Sequence, residues 1–197
     1  MRERDILPDD TYNMDEKGFA MGQCDTCKVI CRKGRKIPRL AQDGARNWVT
    51  VVEAVSAAGE VVPPMIINEG AGHYYGWYAE IKDGDEATFA FSPNGWIDSV
   101  LGVEWLRDNF DRYTRERAGG RWRLLIVDGH VSHVTWQFFD YALKNKIQPY
   151  CLPSKSTHIL QPLDVGLFSP LQKYYTNALD NAGIRSKQKI NKGVFLK

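Results

Sequence analysis

Three aspartates stand where their neighbours would put carboxylates to chemical use. Asp15 lies in the segment Thr11 to Glu16, where Tyr12 and Met14 alternate with Asn13 and Asp15. That period of two reads as a short strand with Asp15 on the face opposite Tyr12 and Met14. Asp128 directly follows the apolar run Leu124-Leu125-Ile126-Val127 and caps a buried strand at its carboxyl end. Asp164 falls in the first turn of a helix begun by Pro162. One residue beyond Leu163 is a rotation of about 100°, which takes Asp164 off the apolar stripe, and the helix dipole there favours an ionised carboxylate. Converging carboxylates repel one another and raise each other's pKa values unless cations neutralise them. Mg²⁺ suits such a set, because it takes oxygen ligands and keeps several waters. Two such ions about 3.5–4 Å apart activate a nucleophile and stabilise a leaving oxygen in phosphodiester chemistry. Spacing alone does not establish this, since 24 acidic residues offer many chance triples. Asp15 and Asp164 as solvated surface groups, and Asp128-Gly129 as an ordinary turn, are the plainer alternatives.

The elements that would carry these residues follow from periodicity. Trp48 to Ala57 is rich in β-branched residues and reads as a strand, and Ala58-Gly59-Glu60 turns the chain into a second strand, Val61 to Asn68. Pro63 and Pro64 place that second strand at a sheet edge, because proline cannot donate to a ladder. Residues 69–96 show no clear period and read as an irregular insertion. A helix starts near Asp98 as N-cap, with Ile97, Val100, Val103, Leu106, Phe110 and Tyr113 on one face, and ends at Ala118-Gly119-Gly120. Leu124 to Val127 is a central strand. Thr135 to Asn145 is helical, with Trp136, Phe139 and Leu143 on one side, and Ile147 to Leu152 is another buried strand. Leu163, Leu167, Leu171, Tyr174 and Ala178 form the stripe of the last helix, which kinks or restarts at Pro170 with Ser169 as cap. Early antiparallel strands followed by strand–helix alternation give an α/β fold, a mixed sheet flanked by helices. Sites in such folds gather at the carboxyl ends of the parallel strands.

The 197 residues, 43% hydrophobic and 25% charged, suit a globular chain with a substantial core. No apolar run approaches the roughly 20 residues of a membrane span, and the charged N-terminus lacks a signal-peptide core, so no membrane partner is expected. The net charge of +2 neither demands nor forbids nucleic acid. Four cysteines require no disulfide framework and fit a reducing compartment.

At the three aspartates the sequence resembles a known family. Asn13-Met14-Asp15-Glu16-Lys17-Gly18-Phe19, Leu124 to His133, and Pro153 to Gly166 resemble, in order, the three motifs of the DDE superfamily endonucleases. The nearest group is similar to the pogo/Tigger and centromere-protein-B-like transposases, particularly fungal ones, and Asn94-Gly95-Trp96 and Trp105-Leu106 fit that pattern. The resemblance covers roughly residues 11–180. It implies an RNase H-like fold with one aspartate on the first strand, one after the fourth and one on a late helix. It implies metal-dependent cleavage of DNA at transposon ends, followed by joining of the freed 3′-hydroxyl to target DNA. Asp15, Asp128 and Asp164 would be the catalytic metal ligands for two Mg²⁺ ions, with Mn²⁺ as the alternative. DNA is the implied partner, with a homo-oligomer left open, and the nucleus is the implied location. His130, His133 and His158 belong to the motifs and read as support for the site. Lys155 departs from the histidine that many relatives carry there.

The implied division is an N-terminal remnant at 1–10, a catalytic domain at 11–181 and a basic tail at 182–197. Fourteen residues precede Asp15 in this sequence, and the helix-turn-helix domain of full-length relatives is not expected within them. Cys24, Cys27 and Cys31 lack a fourth ligand and are expected not to hold zinc, while Cys151 reads as core. Lys28, Arg32, Lys33, Arg35, Lys36 and Arg39 could track phosphates near a DNA-cutting site, but such a run is more often a solvated loop. His73 to Tyr78 could stack on a base or pack a lid. Two rivals to catalysis stand beside it: a transposase-derived DNA-binding scaffold without activity, and an inactive transposon remnant.

Overall fold

The structure is a computed structural model and describes residues 4–21, 48–78, 81–82, 84, 86–129, 135–153, 156–186 and 195. Its centre is a six-stranded sheet of β1 (Thr11–Ala20), β2 (Trp48–Ser56), β3 (Val61–Glu69), β4 (Thr88–Ser92), β5 (Arg123–Val127) and β6 (Ile147–Cys151). The spatial order is β4-β3-β2-β1-β5-β6. β1 to β3 form an antiparallel meander, while β5 runs parallel to β1, β6 to β5 and β4 to β3. The mixed sheet expected from the sequence is present.

Two expectations about its edge are corrected. Residues 69–96 are not wholly irregular, because β4 lies inside them and pairs with β3 from Met65 to Glu69. β3 is therefore an internal strand despite its prolines. Pro63 and Pro64 are tolerated because both precede the β4 ladder and sit where the β2–β3 register shifts between Val52 and Ala54. No ladder bond is asked of them there.

Helices cover both faces. On one lie α1 (Ser99–Glu104), a π-wound stretch Trp105–Asp111, α2 (Arg112–Ala118) and α3 (Trp136–Lys144). Asp98 caps α1, its Oδ1 accepting from the Val100 and Leu101 amides at 2.9 Å each. The wide turns let neighbours in sequence face inward together, so Trp105, Leu106 and Phe110 all reach the main core against Tyr12, Met14 and Leu125. Gly119 ends α2 in the left-handed conformation, φ +56°. In α3 the buried residues are Phe138 and Ala142, whereas Trp136 is 79% exposed and Leu143 is also exposed. The expected stripe was thus displaced around the helix.

β5 is anchored to this layer by a buried ion pair, Arg123 Nη2 to Asp111 Oδ1 at 2.8 Å. Burial pushes the Asp111 carboxyl up, but hydrogen bonds from Arg115, Arg123 and Tyr141 outweigh it and hold its pKa below the ordinary value.

The opposite face carries α4 (Thr157–Leu160), a second π-wound turn Leu163–Leu167, and α5 (Phe168–Ser186). This turn shifts the periodicity. Leu163 and Phe168 are buried, while Leu167 and Tyr174 are exposed, so the expected Leu167–Tyr174 stripe is replaced by Phe168 and by Tyr175 packed edge-on to Phe19. α5 neither breaks nor restarts at Pro170. That residue lies in its first turn, where a missing N–H leaves little unmade.

Candidate active site

The site is built where β1 outruns its parallel neighbour. The β1–β5 ladder ends at Asn13 opposite Ile126. Continuing that register by two residues brings Asp15 alongside Asp128, which follows the last residue of β5. Both line a cleft of about 490 Å³, together with Glu16, Asn94, Trp96 and Ile97. In chain order Asp128 follows the fifth strand rather than the fourth, because β4 adds a strand to the implied scheme.

The third aspartate is brought to the same end of the sheet by two buried amides that sequence reading missed. Asn13 Nδ2 donates to Gln161 Oε1 at 3.0 Å and to the Ile126 carbonyl at 3.3 Å. Asn13 Oδ1 accepts from the Leu163 amide at 3.1 Å, and Gln161 Nε2 donates to the Met14 carbonyl at 2.8 Å. Gln161 is fully buried. The pair fixes the start of the Leu163–Leu167 turn against β1, one residue from Asp15 on one side and one from Asp164 on the other. The signal was present in the sequence as amides two residues before Asp15 and three before Asp164, but an amide buried for positioning looks no different there from a solvated one.

The electrostatics couple the three carboxylates. Asp15 is pushed up to a pKa of about 7, mainly by burial and further by the charges of Asp164 and Asp128. The Glu16 backbone amide and the Gln161 side chain pull the other way. Asp15 Oδ2 is buried and has no hydrogen-bond partner among the described residues. Directly across the β1–β2 ladder stands Glu53, also pushed up to about 7 by burial. Cys151, packed against the main core from β6, has its thiol raised by burial and then by the Asp128 charge.

Asp15 and Asp128 therefore share one cleft, and Asp164 is near enough for its charge to act on Asp15, although its side chain is exposed. Among the described residues no three acidic, histidine or cysteine side chains lie close enough to hold one ion together. The donor chemistry nevertheless suits a hard divalent cation: oxygen ligands only, one an orphaned buried carboxylate oxygen, with repulsion that a positive charge would relieve. His130, His133, Lys155, Cys24, Cys27, Cys31 and the basic residues 28–39 lie outside the described residues, as does the His158 side chain. Of the aromatic segment at 73–78, Tyr74 and Tyr75 are exposed, while Tyr78 packs on Phe89.

Residues 45–195 match the family model of the DDE superfamily endonucleases. The match takes in Asp128 and Asp164 and begins after β1, so Asp15 precedes it. A curated protein of Cochliobolus lunatus, named MFS-type transporter clz9, is 40% identical over 178 residues, covering 89% of this chain and 19% of that protein. The chain thus spans about a fifth of that relative, and among the described residues no helix is long and apolar enough to cross a membrane. The catalytic domain of the Mos1 mariner transposase superposes with a TM-score of 0.53 at 10% identity, over 98% of this chain and 77% of that one. The mariner Mos1 paired end complex with Mg gives a TM-score of 0.59 at 12% identity, over 98% of this chain and 53% of that one. The shared architecture is the RNase H-like fold of a transposase catalytic domain. On the strength of the family match over most of its length, the chain belongs to the DDE superfamily endonucleases.

Proposed function

We propose that this chain is the catalytic part of a transposase-type endonuclease, which cuts DNA strands with divalent metal and transfers the freed ends, and that it works in the nucleus. The observation that carries this reading is the buried, unpartnered Oδ2 of Asp15 in a cleft shared with Asp128 and under the charge of Asp164. A binding scaffold has no need of that arrangement, which raises the pKa of Asp15 and weakens the fold.

In this reading Asp15, Asp128 and Asp164 are the ligands of two Mg²⁺ or Mn²⁺ ions. When bound, the ions would supply an activated water and stabilise the leaving 3′-oxygen. The protein's part is placement. β1 and β5 carry two carboxylates on adjacent parallel strands, rigid to the limit of their ladder. Asn13 and Gln161 hold the turn that bears the third. Burial and the neighbouring carboxylates penalise the ionised form of Asp15, and a bound divalent cation would relieve that penalty. DNA is the substrate that supplies a phosphodiester to such a site, and contacts to its phosphates make binding salt-dependent. The Mos1 complex with Mg, of the same fold, supports the choice of metal.

The experiment is incubation of the chain with supercoiled plasmid in Mg²⁺ or Mn²⁺. Open circles that disappear with EDTA and with Asp128→Asn are expected. Binding of DNA without nicking in either metal would favour the scaffold reading.

A further inference from the structure

The cleft that holds Asp15 and Asp128 is also lined by a tryptophan that is half exposed to solvent and packed against a second indole. Trp96 lines the cleft with Asp15 and Asp128, yet it is 42% exposed. Trp48 packs against it with ring centroids 4.8 Å apart and planes inclined by 38°. Trp48 is itself fixed, its indole Nε1 donating to Thr50 Oγ1 at 3.1 Å and its backbone amide to Glu69 Oε2 at 2.8 Å. Two glycines make room for this ring. A Cβ on Gly18 would fall 2.1 Å from Trp48 Cζ2, and one on Gly95 would fall 3.1 Å from Trp48 Cδ1. Gly95 also takes φ +74°, a conformation other residues resist.

The turn that presents Trp96 is equally set. Ser92 Oγ donates to the Trp96 carbonyl at 2.7 Å, and the Trp96 amide donates to Asn94 Oδ1 at 3.1 Å. The oxygen of Asn94 is thereby committed, while its Nδ2 has no partner among the described residues, and Asn94 lines the cleft.

We propose that Trp96 is a stacking platform for one unpaired nucleobase of the DNA strand held in the cleft, with the Asn94 amide donating to that nucleotide. The inference rests on the reading of the cleft as the place where DNA is cut. An indole braced by Trp48 and 42% exposed, in the same cleft as carboxylates that on that reading act on a phosphodiester, suits the flat face of a base attached to that backbone. Every base has such a face, so the contact gives hold without sequence preference. A base inside a duplex has both faces covered by its neighbours, so the platform selects a strand end or a nucleotide turned out of the stack. Holding one base fixes the adjoining phosphate against the aspartates, which makes Trp96 a positioning residue.

The test is anisotropy of fluorescein-labelled oligonucleotides binding to the full chain in EDTA, where no cutting occurs. Single strand, fully paired duplex and a single strand carrying abasic sites are compared at one salt concentration. Trp96→Ala is expected to weaken single-strand binding about 5- to 150-fold, the range of one base–aromatic stack. Trp96→Phe should retain most of the affinity, and the parent should bind the abasic strand as weakly as Trp96→Ala binds the intact one. Thermal melts of the variants confirm folding. Equal affinity of parent and Trp96→Ala, or equal affinity of the parent for abasic and intact strands, overturns the proposal and leaves the cutting reading standing. A parent that neither binds these strands nor nicks plasmid overturns both.

Discussion

Replacing Gln161 by methionine keeps its volume and removes its hydrogen bonds, those of the pin between β1 and the turn that carries Asp164 and its pull on the Asp15 carboxyl. Two bonds are lost: the 2.8 Å donation to the Met14 carbonyl and the 3.0 Å acceptance from Asn13 Nδ2. Gln161 is wholly buried, so water cannot replace them. The Asn13 donor retains the Ile126 carbonyl at 3.3 Å and is partly compensated. Leaving a buried polar group unsatisfied costs about 1–3 kcal/mol, and the compensated side lies at the low end, which gives a loss of about 2–3 kcal/mol. At this chain length that lowers Tm by about 4–12 °C. Calorimetry of parent and Gln161→Met at neutral pH measures it. Hydrogen exchange at the Leu163 amide, which donates to Asn13 Oδ1, should accelerate more than exchange in β3. An unchanged Tm together with unchanged Leu163 exchange would refute the claim that these amides fix the third aspartate.

Three further outcomes follow from the packing and the charges. Glu53 has a pKa of about 7 in the fold against an ordinary 4.5, so ionising it weighs on the folded state and stability declines as pH rises from about 4.5 to 7. Glu53→Gln should therefore raise Tm at about pH 8 and leave it unchanged at about pH 4, as melts at the two pH values will show. Gly18→Ala drives a methyl into the Trp48 ring and should cost about 1–3 kcal/mol in denaturant titration, with a change in tryptophan emission as the Trp48–Trp96 pair separates. Arg123→Met empties one side of the buried pair with Asp111 and should cost about 3 kcal/mol, the low end for such pairs because Arg115 and Tyr141 still serve the carboxylate.

Much of this molecule was legible where a pattern and its cause coincide. Asp98 as cap, Gly119 as stop, the buried run before Asp128 and the strand alternation that puts Asp15 on the face opposite Tyr12 and Met14 all follow from local rules that the tertiary structure did not override. The failures share a different cause. Pro63 and Pro64 argue for an edge only if every residue of a strand must pair, and the register shift beside them removes that need. β4 is five residues long and embedded among glycines and aromatics, too short to show a period. The stripe of the last helix was read at 3.6 residues per turn, and the wider turn at Leu163–Leu167 moves every later position. The three aspartates stand out in the sequence because each sits beside a readable pattern: a strand alternation, the end of an apolar run and the first turn after Pro162. The amides that position them do not, because their importance lies in what they touch across nearly 150 residues of chain.

The central claim is that Asp15, Asp128 and Asp164 together hold divalent cations although no closed ligand set stands among the described residues. Titration of the chain with Mn²⁺ followed by electron paramagnetic resonance, at a pH above the Asp15 value of about 7, measures this directly. Two ions per chain are predicted for the parent, with uptake weakened by each of Asp15→Asn, Asp128→Asn and Asp164→Asn. Uptake by any one of these variants that matches the parent would contradict the assignment of that carboxylate as a ligand.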